Sequence, residues 1–387
     1  MLNLLWLLLP VAAVAGWFAA KRSAAKRTDV FWNYSADFHQ GLNVLLNAPQ
    51  DLPEELFDNI SDTDNDTAET HLALGNLYRR RGDVNRAIVL HESLVNKSDL
   101  SEELQATALY ELAKDFDSAG LLDRSEATLR TLIEKQQRLP DAYAALLQLH
   151  ERERDWGHAI EIASEIERAT GKDHTQLVGH YYCELATEAQ SAGYKEEAAS
   201  LLNTALERAG KCARAHMMLS NLAKTEGDHA SALHHFEQVE ALRPELMPDI
   251  IDDWFETLLA NGDTSALRRF VQRIAERRNA YSVIRTTRAI IKQLDGVDLA
   301  ERFFKDQILQ RPSLKGLRDW AHDQLAISKP DERDKVQVIC ALLDKVVEEK
   351  PAYRCGSCGF LGNMLHWRCP GCSNWDTVQP IIGVEGE

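Results

Sequence analysis

Turn-forming positions recur along this chain at Gly82, Gly120, Arg154, Gly193, Gly227 and Gly262, with separations of 38, 34, 39, 34 and 35 residues. That period constrains the fold more than any other feature. A unit of such length, repeated in near-register, means a stack of like pieces and not one globular core. Between the turn positions apolar residues return at helical spacing, so each piece reads as a pair of helices. The turn falls where the first helix ends and the backbone swings left-handed, which glycine allows at least cost. A helix pair cannot bury its apolar face alone, so the pairs must stack, and a stack presents an extended concave surface suited to binding. Two of the steps are longer by four or five residues, which predicts longer loops between those repeats. Glycine and proline number only 20 and 11 in 387 residues, disfavouring collagen-like and many-turned all-β chains.

The detailed spacing resembles the tetratricopeptide repeat, a helix–turn–helix unit of about 34 residues. In THLALGNLYRRRGDVNRAIVLHESL, at 70–94, Gly75 and Ala87 are the small residues that let two helices approach, while His71, Leu74, Tyr78, His91 and Leu94 fill the seam. The same frame from 213 places Ser220 and Ala232 at the close approach and His216, Leu219, Ala223, Phe236 and Val239 in the seam, ending at Pro244. Six repeats are predicted across 68–281. Residues 282–350 are read as a degenerate seventh repeat around Ala300, Phe304 and Pro312, followed by capping helices.

Residues 1–20, MLNLLWLLLPVAAVAGWFAA, hold no ionisable side chain. As a helix they would span ~30 Å, enough to cross the hydrocarbon core of a bilayer. A cleaved signal peptide would want its basic residues before the apolar run, whereas Lys21, Arg22, Lys26 and Arg27 follow it. Basic flanks stay on the cytoplasmic side, which predicts a single-pass anchor with the body in the cytoplasm and Trp17 and Phe18 at the inner interface. Residues 21–67 then form a basic juxtamembrane piece and an acidic lead-in whose run from Asp51 to Glu69 holds eight acids and no base, read as a solvated segment. The whole chain carries −16, and −20 without its first 27 residues. A body that acidic repels phosphate backbones and argues against nucleic-acid binding.

The tail reads YRCGSCGFLGNMLHWRCPGCSNWD at 353–376. Cys355 and Cys358 form one C-x-x-C knuckle, and Cys369 and Cys372 form another. Each spacing puts two sulfurs on one tight turn, and two turns face to face make a tetrahedral four-thiolate metal site. Redox disulfides compete with this reading, but no thioredoxin-like βαβ pattern surrounds the cysteines. One Fe or one Zn ion suits such a set equally. A module of 351–387 is too small to fold without its ion. Only Pro351 and Ala352 separate it from the helices before it, so its apolar residues are expected to pack against the helical body. Those residues are Phe360, Leu361, Leu365, Trp367, Val378, Ile381, Ile382 and Val384. His366 is not needed as a ligand beside four thiolates. Cys183, Cys212 and Cys340 are read as structural thiols, and His234–His235 as an isolated surface pair.

The chain shows no HExxH, no Walker loop and no dinucleotide fingerprint, and it is read as a non-enzyme with no catalytic residues. Positions expected to line the concave face of the repeats are Asn76, Arg79, Arg80, Tyr110, Lys114, Gln148, Arg152, Arg214, Asn221 and Lys224, a mixed-to-basic groove for a protein partner. A second basic stretch, 268–292, has a net charge of +7 and is read either as a solvated face or as a contact for lipid head groups or an acidic protein.

Taken together, the apolar N-terminus, GLNVLLN at 41–47, ETHLALGNLYRRRGDVNRAI at 69–88, YYCELA at 181–186 and YRCGSCGF…LHWRCPGC at 353–372 resemble the lipopolysaccharide assembly protein B family, over essentially the whole chain. The resemblance implies an all-α tetratricopeptide-repeat superhelix with an N-terminal transmembrane helix and a small C-terminal rubredoxin-like, zinc-ribbon knuckle. It implies metal ligands at Cys355, Cys358, Cys369 and Cys372, and a place in the inner membrane. It also implies an adaptor that helps a membrane ATP-dependent metalloprotease degrade the deacetylase committing precursors to lipid A, opposed by an inner-membrane lipopolysaccharide sensor. Ser373 stands where rubredoxins carry glycine, and the ten-residue gap between knuckles is short, which makes electron transfer the lesser expectation. A rubredoxin-like redox carrier at the membrane and a scaffold for another membrane complex are the alternative readings.

Overall fold

The computed structural model describes residues 65–275 and 280–386. The expected membrane anchor at 1–20 and residues 21–64 lie outside the described residues. Among the described residues no helix is long and apolar enough to cross a membrane. The chain divides after Leu146 into two compact units.

The first unit contains α1 (Asn65–Arg81), α2 (Val84–Val95), α3 (Glu102–Ser118), α4 (Leu122–Glu134) and the start of α5 (Leu139–Glu153). Its apolar seams are small and local: Leu72, Leu94, Leu100 and Ala108 form one, and Ile88, Leu112 and Phe116 another. α1 and α2 meet where Gly75 faces the ring of His91, itself fully buried. His91 Nδ1 is bonded to the buried Asp115 carboxylate, which also takes Arg79 Nη1 at 2.7 Å. A Cβ at position 75 would lie 2.3 Å from His91 Nε2. Gly75→Ala is therefore expected to destabilise the protein by about 1–3 kcal/mol through overpacking. Urea unfolding of Gly75→Ala measures this, and an unchanged midpoint would show that α1 and α2 have room to part.

The second unit continues with α6 (Trp156–Thr170), α7 (Thr175–Ser191), α8 (Lys195–Ala209), α9 (Ala213–Glu226), α10 (His229–Leu242), a 3-10 turn (Pro244–Leu246) and α11 (Met247–Asn261). It ends with α12 (Thr264–Ala275), α13 (Tyr281–Asp295), α14 (Val297–Gln310), α15 (Leu314–Ile327), α16 (Pro330–Glu348) and a small β module. Its main core stacks Phe236 on Trp254 at 5.9 Å and sets Phe270 edge-on to Trp254 at 5.1 Å, surrounded by Ile250, Ile251, Leu267 and Ile290.

All six periodic turn residues have positive φ: Gly82 86°, Gly120 74°, Arg154 59°, Gly193 88°, Gly227 78° and Gly262 70°. After five of them the next N–H reaches back five residues to close the helix end, as Asp83 does to Tyr78 O at 2.9 Å and Asp155 to His150 O at 2.9 Å. Arg154 holds this conformation at a cost of roughly 1–2 kcal/mol that a glycine would not bear. The lengthened steps have two origins. The first does contain the expected longer loop, at 96–101, whereas in the second the extra length lies largely in α7 itself, 17 residues against 14 in α9.

Three short strands form the C-terminal module, β1 (Tyr353–Cys355), β2 (Leu361–Gly362) and β3 (Val378–Pro380), antiparallel in the order β2-β1-β3. The described residues are thus mostly helical repeats with the small C-terminal knuckle expected, and the knuckle carries the three strands. The register sets Tyr353 opposite Gly362 and Pro380, and Cys355 opposite Val378.

Candidate metal centre and its docking face

The two knuckles are built alike. Cys355 N–H donates to Phe360 O and Gly359 N–H to Cys355 O, at 2.8 and 3.1 Å. Cys369 N–H donates to Asn374 O and Ser373 N–H to Cys369 O, at 2.9 and 2.8 Å. Each turn closes on a left-handed residue, Gly359 at φ 78° and Ser373 at φ 59°. Ser373 thus occupies the glycine position of the pattern and takes the glycine's backbone.

The four cysteine sulfurs lie within 4.8 Å of one another. Cys355 Sγ is 3.8 Å from Cys372 Sγ, and Cys358 Sγ 3.7 Å from Cys369 Sγ. A tetrahedral ion with metal–sulfur bonds of ~2.3 Å sets its sulfurs ~3.8 Å apart, so the four thiols fit one ion. The Thr377 hydroxyl, with the amides of Cys358 and Ser357, pulls the Cys355 thiol down to about 6. Burial and the neighbouring cysteine thiols push Cys358 up to about 12 instead, so Cys355 is the ligand prepared as a thiolate, the form that ligates. His366 packs edge-on against Phe360, 6.0 Å between ring centres, and is not one of the clustered ligands. Cys355, Cys369 and Val378 make the module's own small core, with Tyr353 and Phe360 against it.

The module is seated on the repeats through residues that no sequence motif marks. Glu151, buried at the end of α5, is the hub. Tyr181 OH and Trp375 Nε1 both donate to its Oε1, at 2.6 and 2.7 Å. Arg368 Nη2 donates to Oε2 at 3.0 Å, and Nη1 to the Glu151 carbonyl at 3.2 Å. Burial, with the neighbouring Glu151 charge, pushes the Tyr181 phenol well above its ordinary range, so it stays a donor. Trp375 is boxed by Trp156 edge-on at 6.0 Å, Tyr181 edge-on at 5.7 Å and His180 stacked at 5.4 Å. Burial holds His180 neutral, with its pKa lowered to about 4, so it serves as a flat aromatic face. Arg243 Nη1 lies 2.7 Å from both oxygens of Asp376, and Tyr353 OH donates to Asp249.

Leu365 and Trp367 pack against the core of the second unit, as expected of module residues, and Leu314 N–H donates to Val384 O at 2.9 Å. Leu361, Ile382 and Val384, expected to pack as well, keep more than half of their surface exposed. They sit on a strand edge and a tail that face water. The docking tryptophans left one trace in the sequence: two of the chain's eight tryptophans lie within the module.

The residues expected to line a groove have varied surroundings. Arg79 is engaged by Asn76, Glu111 and Asp115, and Lys114 Nζ reaches Glu111 at 3.0 Å. Tyr110 lies beneath Lys114 and Arg138, at 5.3 and 4.8 Å from its ring centre. Arg214 is buried, bonded to Glu184 at 2.8 Å and placed over Trp367 at 5.8 Å, so it belongs to the dock. Lys224 is held by Asp253 and Glu256. Arg80, Gln148, Arg152 and Asn221 are exposed.

The described arginines of the 268–292 stretch all face acids: Arg268 meets Asp295, Arg269 Asp263, Arg273 Glu240, Arg285 Asp252, and Arg288 both Glu301 and Asp323. Counting charge along the chain hides this neutralisation, because all of these partners but Asp263 come from other helices. His234–His235 is not an isolated pair, since His235 Nδ1 lies 3.0 Å from His216 Nδ1 on the facing helix. Cys183 and Cys212 are buried with their sulfurs 3.9 Å apart, and Cys340 is buried in α16.

Comparison with known proteins agrees with both parts of this architecture. The rubredoxin metal binding domain family matches residues 353–380, and the tetratricopeptide repeat family matches 183–246. Lipopolysaccharide assembly protein B of Escherichia coli (strain K12) is 32% identical over 391 residues, covering 100% of both chains. Lipopolysaccharide assembly protein B of Haemophilus influenzae is 29% identical over 398 residues, also covering 100% of both.

Proposed function

The chain belongs to the lipopolysaccharide assembly protein B family, and on that premise we propose that it is a membrane-anchored, non-enzymatic adaptor of lipopolysaccharide assembly. One observation carries this reading most: the likeness to the named assembly proteins runs over the full length, through repeats and metal module alike. Repeats of this kind supply surface for other proteins, and the metal module, docked on them, shapes that surface. Residues 1–20 would hold the body at the cytoplasmic side of the inner membrane and meet the membrane lipid. The repeats would bring the lipid A deacetylase to the membrane ATP-dependent metalloprotease, with the lipopolysaccharide sensor protein opposing them. Confinement to one membrane surface raises the effective concentration of adaptor and protease without new contacts.

The test is to delete residues 1–20 and follow deacetylase turnover in cells. A folded body that barely supports turnover, rescued by an unrelated span of the same orientation, is the expected result. Full turnover without any anchor would overturn the tethering. Arg80→Glu is expected to weaken partner capture in pull-downs at unchanged thermal stability, because its side chain is exposed. Equal loss of fold and capture would show that it is structural instead. The metal is Zn or Fe held for structure. A reversible one-electron signal from the protein as isolated would favour the redox-carrier reading.

A further inference from the structure

We propose that the turn between α5 and α6 is a second metal site, a two-histidine, one-carboxylate centre of His150, Asp155 and His158 suited to a divalent transition ion such as Zn²⁺. His150 lies in the last turn of α5, Asp155 is the N-cap of α6, and His158 stands in the first turn of α6. The backbone between them is fixed by Arg154 at φ 59° and by the bond from Asp155 N–H to His150 O. The carboxylate is aimed as well. Asp155 Oδ1 accepts the His158 N–H at 3.2 Å, which turns Oδ2 toward both imidazoles. His158 Nδ1 is 2.6 Å from that oxygen and His150 Nδ1 3.8 Å from it. The two rings lie side by side, 22° apart with centres at 5.3 Å, which keeps both imidazoles beside the carboxylate. The ligating atoms of the three residues are all within 4.8 Å of one another.

Ligands at ~2.0–2.2 Å from a tetrahedral zinc are separated by ~3.3–3.6 Å, a distance bracketed by the two measured here. An ion here takes the place of the proton between His158 and Asp155, with the imidazoles turned toward it. Two imidazoles and one carboxylate select borderline transition ions over Ca²⁺ and Mg²⁺, which demand oxygen. His150 is buried behind the site, while the Asp155 and His158 side chains are 41% and 54% exposed. The site opens to water, leaving room for a fourth ligand from solvent or a partner. It contains no sulfur and uses none of the four clustered cysteines. Glu151 and Trp156, which hold Trp375 of the docked module, flank the same turn.

The competing account is an ordinary helix cap in which Asp155 serves only His158. Tag-free full-length protein, its four-cysteine site filled, is titrated with Co²⁺ and followed by absorbance and equilibrium dialysis. The expected result is a second equivalent with visible d–d bands and no sulfur-to-cobalt charge transfer, bound at least tenfold more weakly by His158→Ala. Asp155→Ser keeps a capping oxygen for His158 N–H but removes the carboxylate, so it is expected to lose the second equivalent at unchanged helicity. No uptake of Co²⁺ beyond the filled four-cysteine site, or a second equivalent that survives both substitutions, would overturn the proposal.

Discussion

Cys355→Ser and Cys372→Ser are each expected to empty the four-cysteine site and unfold the C-terminal module, leaving the repeats helical. The module has three strands of two or three residues and a core of Cys355, Cys369 and Val378 with partial cover from Tyr353 and Phe360. So little apolar surface stabilises nothing by itself, whereas a structural four-thiolate zinc contributes on the order of 10–16 kcal/mol in small modules. Metal analysis should show loss of the ion. Near-ultraviolet circular dichroism should lose the signal of Trp367 and Trp375 as they leave their packed positions, while the far-ultraviolet helical signal changes little. A variant that loses its metal but keeps both tryptophans in a packed environment would show that the dock, and not the ion, folds the module.

Glu151→Ala is expected to detach the module with its metal still bound. The substitution strips Arg368 of a buried counter-charge and leaves Tyr181 OH and Trp375 Nε1 without their common acceptor. Removing one partner of a buried pair costs about 3–5 kcal/mol while the remaining charge stays desolvated, and detachment relieves that cost by returning Arg368 to water. Hydrogen exchange should accelerate across 353–386 and at Tyr181, with metal content unchanged. Arg368→Ala alone should cost less, and the double variant should cost less than the sum, since the two side chains share one interaction. Strict additivity would mean that Glu151 and Arg368 act separately, and the hub would dissolve into independent contacts.

Both predictions depend on residues with different visibility in the sequence. The repeats were legible because helix ends are a local matter: Gly82, Gly120, Gly193, Gly227 and Gly262 sit where a left-handed residue is needed, and their spacing alone gave the unit. The knuckles were legible for the same reason, since a C-x-x-C turn is set by its own four residues and four thiolates have few other uses. The charge of the groove was not. Arg79, Arg214 and Lys224 look like free cations in sequence, yet their acids lie on other helices, at Glu111 and Asp115, Glu184, and Asp253 with Glu256.

What the sequence alone determined, then, is whatever a few neighbouring residues decide: helix pairs, their turns, the helical spacing of apolar residues and the ligand set of the knuckles. Tertiary structure alone decided where the module sits and what holds it. Glu151 and Trp375 are separated by more than two hundred residues, and nothing near either one signals the other. Their pairing follows from the stacking of successive helix pairs, which brings Tyr181, His180 and Trp156 to one face and leaves a buried carboxylate in need of donors. The same stacking turned His150 toward Asp155 and His158, a convergence that depends on the angle between two helices and that a linear spacing does not reveal.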